Sequence, residues 1–185
     1  MDKDISNVIQ TLASGKTILY PTDTVWGLGC DATNRKAVCK IFKLKNREES
    51  KSLVVLVSSL EMMHNYILDI PEKAIQIIKT SEKPTTIIYH HPKGLASNVI
   101  ASDNTVAIRI PKHEFCLKLI DRFGKPIVST SANISGGTTP SCFSEISQSI
   151  LEGVDYIVNL ERDKRTDKSS TIIKLIGDDI EVIRA

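Results

Sequence analysis

Apolar residues recur at Ile5, Val8, Ile9 and Leu12, the spacing of a surface helix, and Gly15 supplies a left-handed stop. Asn34 is placed to cap a second helix that buries Val38, Ile41 and Phe42 and runs to Leu44. Ser58-Ser-Leu-Glu61 reads as a capping box, and Pro71 opens a helix with Ala74, Ile77 and Ile78 as its stripe. Cys116, Leu119, Ile120 and Phe123 predict a helix stopped by Gly124, and Phe143, Ile146 and Ile150 a last one stopped by Gly153. Between these lie β-rich runs at Thr17–Tyr20, Ser52–Val57, Thr85–Tyr89, Thr105–Ile110, Pro126–Val128, Tyr156–Val158, Ile172–Leu175 and Glu181–Arg184. Ser52–Val57 is nearly unbroken in apolar character, as a strand covered on both faces would be. Strands alternating with helical patterns of roughly 10–15 residues predict an α/β fold on a twisted, mixed β-sheet flanked by helices. One domain over residues 1–185 is expected.

The pattern lapses at a few polar stations. Thr22 to Gly29 combines small hydroxyl side chains, two glycines and the chain's only tryptophan, Trp26. It reads equally as a ligand loop walled by Trp26 or as an ordinary strand-to-loop turn. Lys45, Arg47 and Lys51 crowd the joint between the second helix and the Ser52 strand. Taken alone, a K-x-R is a solvated charged turn; an anion, and a polyphosphate best of all, is the other reading. Arg109 alternates with Ile108 and Ile110 and so points away from one apolar face. Ser129 to Ser141 is dense in hydroxyls and amides after a buried-looking strand, which fits either a phosphate or carboxylate cradle or a flexible loop. Glu161 to Lys168 reads as a mobile loop.

Composition narrows these readings. A net charge of +2 over 185 residues is too small for nucleic-acid binding through bulk electrostatics, so any anion site must be local. No apolar run approaches the roughly 20 residues of a spanning helix, and the start of the chain has no secretory pattern. Cys30, Cys39, Cys116 and Cys142 lack ligand spacing and read as reduced residues of a cytoplasmic protein. Adjacent His90 and His91 point to opposite faces of a strand, so no protein-built metal site is expected. A nucleophile elbow, a Cys-His pairing and a paired-carboxylate motif are all missing from the sequence. An inventory of cations, hydroxyls and amides suits a transfer in which the substrate brings its own nucleophile and the protein supplies position and charge.

Tyr20-Pro-Thr-Asp-Thr-Val-Trp-Gly-Leu, Lys45-Asn-Arg47, Val106-Ala-Ile-Arg-Ile-Pro111, Ser129-Thr-Ser-Ala-Asn-Ile-Ser-Gly136 and Ser169-Ser-Thr171 occur in this order. As an ordered set covering nearly the whole chain, they resemble the YrdC family of threonylcarbamoyl-AMP synthases. The resemblance implies a YrdC-like (DHBP synthase-like) fold with a concave basic cleft. It implies synthesis of threonylcarbamoyl-AMP and pyrophosphate from L-threonine, bicarbonate or CO2, and ATP, with Mg2+ carried by the nucleotide. A partner threonylcarbamoyl transferase complex would pass the group to tRNA, and weak binding of double-stranded RNA is also compatible with the family.

By motif position, Lys45, Arg47, Ser131 and Asn133 are expected to hold ATP and serve catalysis. Lys51, Thr105, Thr139 and Arg184 align with further nucleotide contacts. Thr24, Arg109, Ser129 and Ser170 fall where the family meets L-threonine, with Arg109 on its carboxylate. The sequence departs from the family at Trp26, where tyrosine is usual, and it resembles the short form that ends near Arg184. Lys45→Ala and Arg47→Ala are expected to lose activity with little change in stability. The competing readings are an RNA-binding module of the same fold and a paralogue acting on another carbamoyl or adenylyl substrate.

Overall fold

The computed structural model describes residues 2–49, 52–166, 168–177 and 179–185. Helix α1 (Asp2–Ala13) leads into strands β1 (Ile18–Tyr20) and β2 (Gly27–Gly29), then helix α2 (Arg35–Leu44) and strand β3 (Val54–Leu56). Helices α3 (Leu60–His64) and α4 (Glu72–Thr80) precede β4 (Thr85–His90) and β5 (Thr105–Arg109). Helix α5 (Glu114–Phe123), β6 (Ile127–Ser131), a 3-10 turn (Phe143–Glu145), α6 (Gln148–Gly153), β7 (Tyr156–Ile157), β8 (Thr171–Ile176) and β9 (Asp179–Arg184) complete the chain. The described strands form one mixed sheet in the order β7-β1-β2-β6-β3-β5-β4-β8-β9.

Local sequence explains most boundaries. The Asn34 side chain accepts from the amides of Lys36 and Ala37, satisfying two donors that the first turn of α2 leaves open. Gly124, with φ 72°, ends α5. The Ser58 capping box is displaced by one residue: Ser59 is the cap, accepting from the Met62 amide. The expected last helix is split into the 3-10 turn and α6, and Gly153 is its final residue. An added Cβ at Gly153 would meet the tip of the Leu44 side chain, so α6 approaches the end of α2 closely at this glycine.

Two apolar clusters bury the two faces of the sheet. Helices α2, α3 and α4 cover Leu28, Val55, Ile87, Ile108 and Val128. Helices α1 and α5 cover Ile18, Tyr20, Leu56 and Ile127 on the other face. Successive strand residues alternate faces, so Val54, Ser129 and Ser131 share a face with Leu56 and Ile127. Val54 packs at the margin of that second cluster, and toward Ser129 and Ser131 the face opens into the cleft. Among the described residues, no helix is long and apolar enough to cross a membrane.

Candidate active site

A row of side chains crosses the uncovered face. Gly27 lies opposite Ser131, Ser129 opposite Val54, Val54 opposite Ala107, and Ala107 opposite Ile88. All of them line an open cleft of about 320 Å³, within the range of roughly 300–1,000 Å³ common to small-molecule sites. The small residues of the row keep its floor low, and cations and hydroxyls stand around it. Arg47, Arg109 and Arg184 reach the cleft together with Thr24, Ser129, Ser131, Thr139 and Ser170, and no acidic residue is among the described lining.

The Lys45-Asn-Arg47 joint is built by the end of α2. Lys45 caps the helix, and Asn46 turns the chain at φ 49°. The Arg47 amide then returns to the Phe42 carbonyl at 2.9 Å, which sends the side chain into the cleft. Asparagine tolerates the left-handed region and a β-branched residue does not. Asn46→Gly should therefore leave stability near wild type, whereas Asn46→Val should cost about 1–2 kcal/mol in urea unfolding. Equal midpoints for the two variants would mean that Asn46 is not what turns the chain.

Lys45 itself stands behind the cleft wall, 1% exposed. Its ammonium donates to the carbonyls of Ser131 and Asn133, the second at 2.6 Å, and its own carbonyl accepts from the Ser135 amide at 2.7 Å. Burial, and then the charge of Arg47, push its pKa down to about 8. Arg47 donates to the Ser52 carbonyl at 2.9 Å, and burial lowers its proton affinity as well. The Asn133 amide closes the turn onto the carbonyls of Ile134 and Gly137, at 2.9 and 2.8 Å. Lys45 and Asn133 thus shape the loop that presents Ser131.

On the opposite wall, Arg109 ends β5 and is 4% exposed. Its Nη1 is paired with Asp23, and its Nη2 lies 3.4 Å from the Thr24 hydroxyl. Its Nε is buried with no hydrogen-bond partner among the described residues. The Thr24 hydroxyl is held by that of Thr22 at 2.9 Å, and the Ser170 hydroxyl by that of Thr86 at 2.8 Å. Arg184 donates to the Ser170 carbonyl at 2.8 Å, and burial and then the charge of Arg109 lower its proton affinity. These cations repel one another across the cleft, a cost that a bound anion would remove.

Most of the sequence-predicted positions meet here: Thr24, Arg47, Arg109, Ser129, Ser131, Thr139, Ser170 and Arg184 line one cleft. Lys45 and Asn133 back it. Thr105 shares the strand face of Ala107 and Arg109 but lies outside the lining, its hydroxyl donating to Asp103 at 2.6 Å. Lys51 lies outside the described residues. Asp23 and Thr86 were not singled out by sequence; an Asp between two threonines is common in turns, and only its burial against Arg109 distinguishes it.

Trp26 is buried at the cleft wall with its ring 5.1 Å from that of Phe143. The Arg162 guanidinium covers the Phe143 ring of this tilted pair, 4.4 Å from its centroid. Arg165 donates to Ser141 at 2.8 Å and to Glu145 at 2.7 Å, and the Thr166 amide to the Ser141 carbonyl at 2.7 Å. The described part of the loop expected to be mobile is therefore fastened to the segment that carries Thr139.

Residues 10–185 match the family model Sua5_yciO_yrdC, described as telomere recombination. The chain belongs to this family. A threonylcarbamoyl-AMP synthase of Pseudoalteromonas translucida is 34% identical to this Sua5/YciO/YrdC chain over 158 residues, 84% of either protein. The crystal structure of Pyrococcus abyssi Sua5 complexed with L-threonine superposes with a TM-score of 0.90 at 30% identity, covering 97% of this chain. This chain spans only about half, 53%, of that Sua5 chain. Escherichia coli YciO, at 23% identity and a TM-score of 0.86, shares the fold.

Proposed function

We propose that the protein is an L-threonylcarbamoyladenylate synthase, a nucleotidyltransferase joining L-threonine, bicarbonate or CO2, and ATP. The observation that carries this reading is the convergence, in one cleft with no acidic residue among its described lining, of Arg47, Ser131, Thr139 and Arg184 with Thr24, Arg109, Ser129 and Ser170. The first group would hold the nucleotide, with Lys45 and Asn133 fixing the Ser131 turn from behind. The second would hold L-threonine, with its carboxylate on Arg109. Thr105 is not among the proposed contacts, because Asp103 engages its hydroxyl. The naming of the bacterial relative, and the L-threonine bound to the archaeal one, support the choice of substrates.

The chemistry asks little acid–base work of the protein. The threonine amine adds to CO2 and loses a proton, giving a carbamate anion. A carbamate oxygen then attacks the α-phosphorus as the bond to the β-phosphate oxygen breaks, and pyrophosphate leaves with both bonding electrons. Arg47 would stabilise the charge gathering on that leaving group, while Arg109 and the hydroxyls keep the carbamate in line. Among the described residues, no cluster of three or more His, Cys, Asp or Glu could hold a metal. Magnesium would enter on the phosphates and add charge neutralisation there. A transferase that modifies tRNA in the cytoplasm would consume the product.

With ATP and bicarbonate present, adding L-threonine to the purified protein should start pyrophosphate release. Equal release with serine or without an amino acid would favour a paralogue of different specificity, and no release at all would overturn the reading.

A further inference from the structure

Arg109 is held in an unusual way. Asp23 takes only Nη1, which leaves the parallel Nε–H and Nη2–H pair along the other edge of the guanidinium. Among the described residues, Nε has no partner and Nη2 reaches only Thr24, at 3.4 Å. That edge is the fork whose geometry matches the two oxygens of a carboxylate. Asp23 is itself fixed, its second oxygen accepting from the Lys112 amide at 2.9 Å just beyond β5. Both members of the pair are almost fully withdrawn from water, at 4% and 7% exposure.

An arginine side chain has several soft torsions, and a buried guanidinium without a counter-charge draws toward water or toward any nearby acceptor. The other arginines of the cleft would add to that displacement, since Arg184 already senses the charge of Arg109. We infer that Asp23 is a positioning residue: it occupies one end of the Arg109 guanidinium so that the Nε–Nη2 edge stays presented to the carboxylate of the amino-acid substrate. Arg109 then lies between two carboxylates, one permanent and one exchangeable. This inference rests on the reading above that Arg109 receives L-threonine.

The test is L-threonine binding by titration calorimetry to the wild type, Asp23→Asn, Asp23→Glu, Arg109→Gln and the Asp23→Asn/Arg109→Gln double variant. ATP affinity and melting temperature are measured alongside. Asp23→Asn should weaken L-threonine by about 10²-fold, the scale of a displacement near 1 Å at such a site, with ATP affinity unchanged. In the Arg109→Gln background the same change should have no further effect, because the residue through which Asp23 acts is gone. The double variant should also melt above Asp23→Asn, having no unpaired buried cation. Asp23→Glu keeps the charge at a longer reach and should give an intermediate loss, and it decides the matter if Asp23→Asn does not fold. Wild-type L-threonine affinity in Asp23→Asn or Asp23→Glu, or an equal loss in the Arg109→Gln background, would overturn the inference. A wild-type protein that binds ATP but not L-threonine would instead overturn the functional reading beneath it.

Discussion

Lys45→Ala should lower the rate of pyrophosphate release by about 10²-fold, the scale of a displacement near 1 Å at such a site, because the turn that presents Ser131 loses its support. Unlike the expectation from sequence, it should also cost stability. The Lys45 ammonium is buried against the carbonyls of Ser131 and Asn133, and alanine would leave both without that donor. Losing buried partners of this kind costs about 2–4 kcal/mol. Arg47 is half-buried, and Arg47→Ala should lose comparable activity with a smaller change in melting temperature. An alanine variant at Lys45 that keeps wild-type turnover would remove this residue from the machinery, whatever its stability.

The same amine predicts a pH profile. Burial followed by the charge of Arg47 pushes it from 10.5 down to about 8, so the fold disfavours its protonated form. Deprotonation would weaken the hold of Lys45 on the Ser131 and Asn133 carbonyls behind the cleft wall, so kcat/KM for ATP should fall as pH rises through about 8. Stability moves the other way. Between about 8 and 10.5 the unfolded chain binds the proton more tightly than the folded one, so this group's burial penalty is present below pH 8 and relieved as pH climbs. Melting scans of the wild type against Lys45→Met isolate this contribution from other groups. A kcat/KM profile flat from pH 7 to 9.5 would show that protonation of Lys45 is not required.

The helices and the central strands were legible because their apolar spacing is local and strong: Ile5, Val8 and Leu12 predict α1 without knowledge of α5, the helix they bury against. Short strands were harder. Gly27-Leu28-Gly29 has the composition of a turn, and it is a strand because β1 and β6 lie on either side to pair with it. Strand β6 continues to Ser131 for the same reason, which puts Ser129 and Ser131 on one face with Val54. Of the site, the cations were readable as an ordered set of motifs. Their division of labour was not, because Lys45 backing the wall and Arg47 entering the cleft is decided by the left-handed turn at Asn46. Asp23 was beyond reach of pattern, since its partner is Arg109, 86 positions away.

Gly29→Ala should be the most damaging conservative change near the site, and Gly27→Ala, two residues earlier, should behave differently. A Cβ on Gly29 would sit 2.6 Å from the Val128 carbonyl oxygen and 2.7 Å from Cε1 of Tyr20. Neither can retreat: Val128 belongs to β6 in the middle of the sheet, and the buried Tyr20 hydroxyl donates to that same carbonyl at 3.3 Å. Overpacking there should cost about 3 kcal/mol, or roughly 6–12 °C in melting temperature for a chain of this size. At Gly27 the nearest atom is the Ser129 hydroxyl at 3.2 Å, and the others are side-chain carbons of Thr22 and Tyr20 at 3.4 Å. A small rotation of Ser129 admits the methyl, so stability should change by less than about 1 kcal/mol. That methyl, however, stands on the floor of the cleft opposite Ser131, where Ser129 is proposed to meet L-threonine. Gly27→Ala should therefore raise the KM for L-threonine in a protein that melts normally. If both variants melted alike, the two glycines would share one structural role, and the openness of the cleft floor would not depend on Gly27.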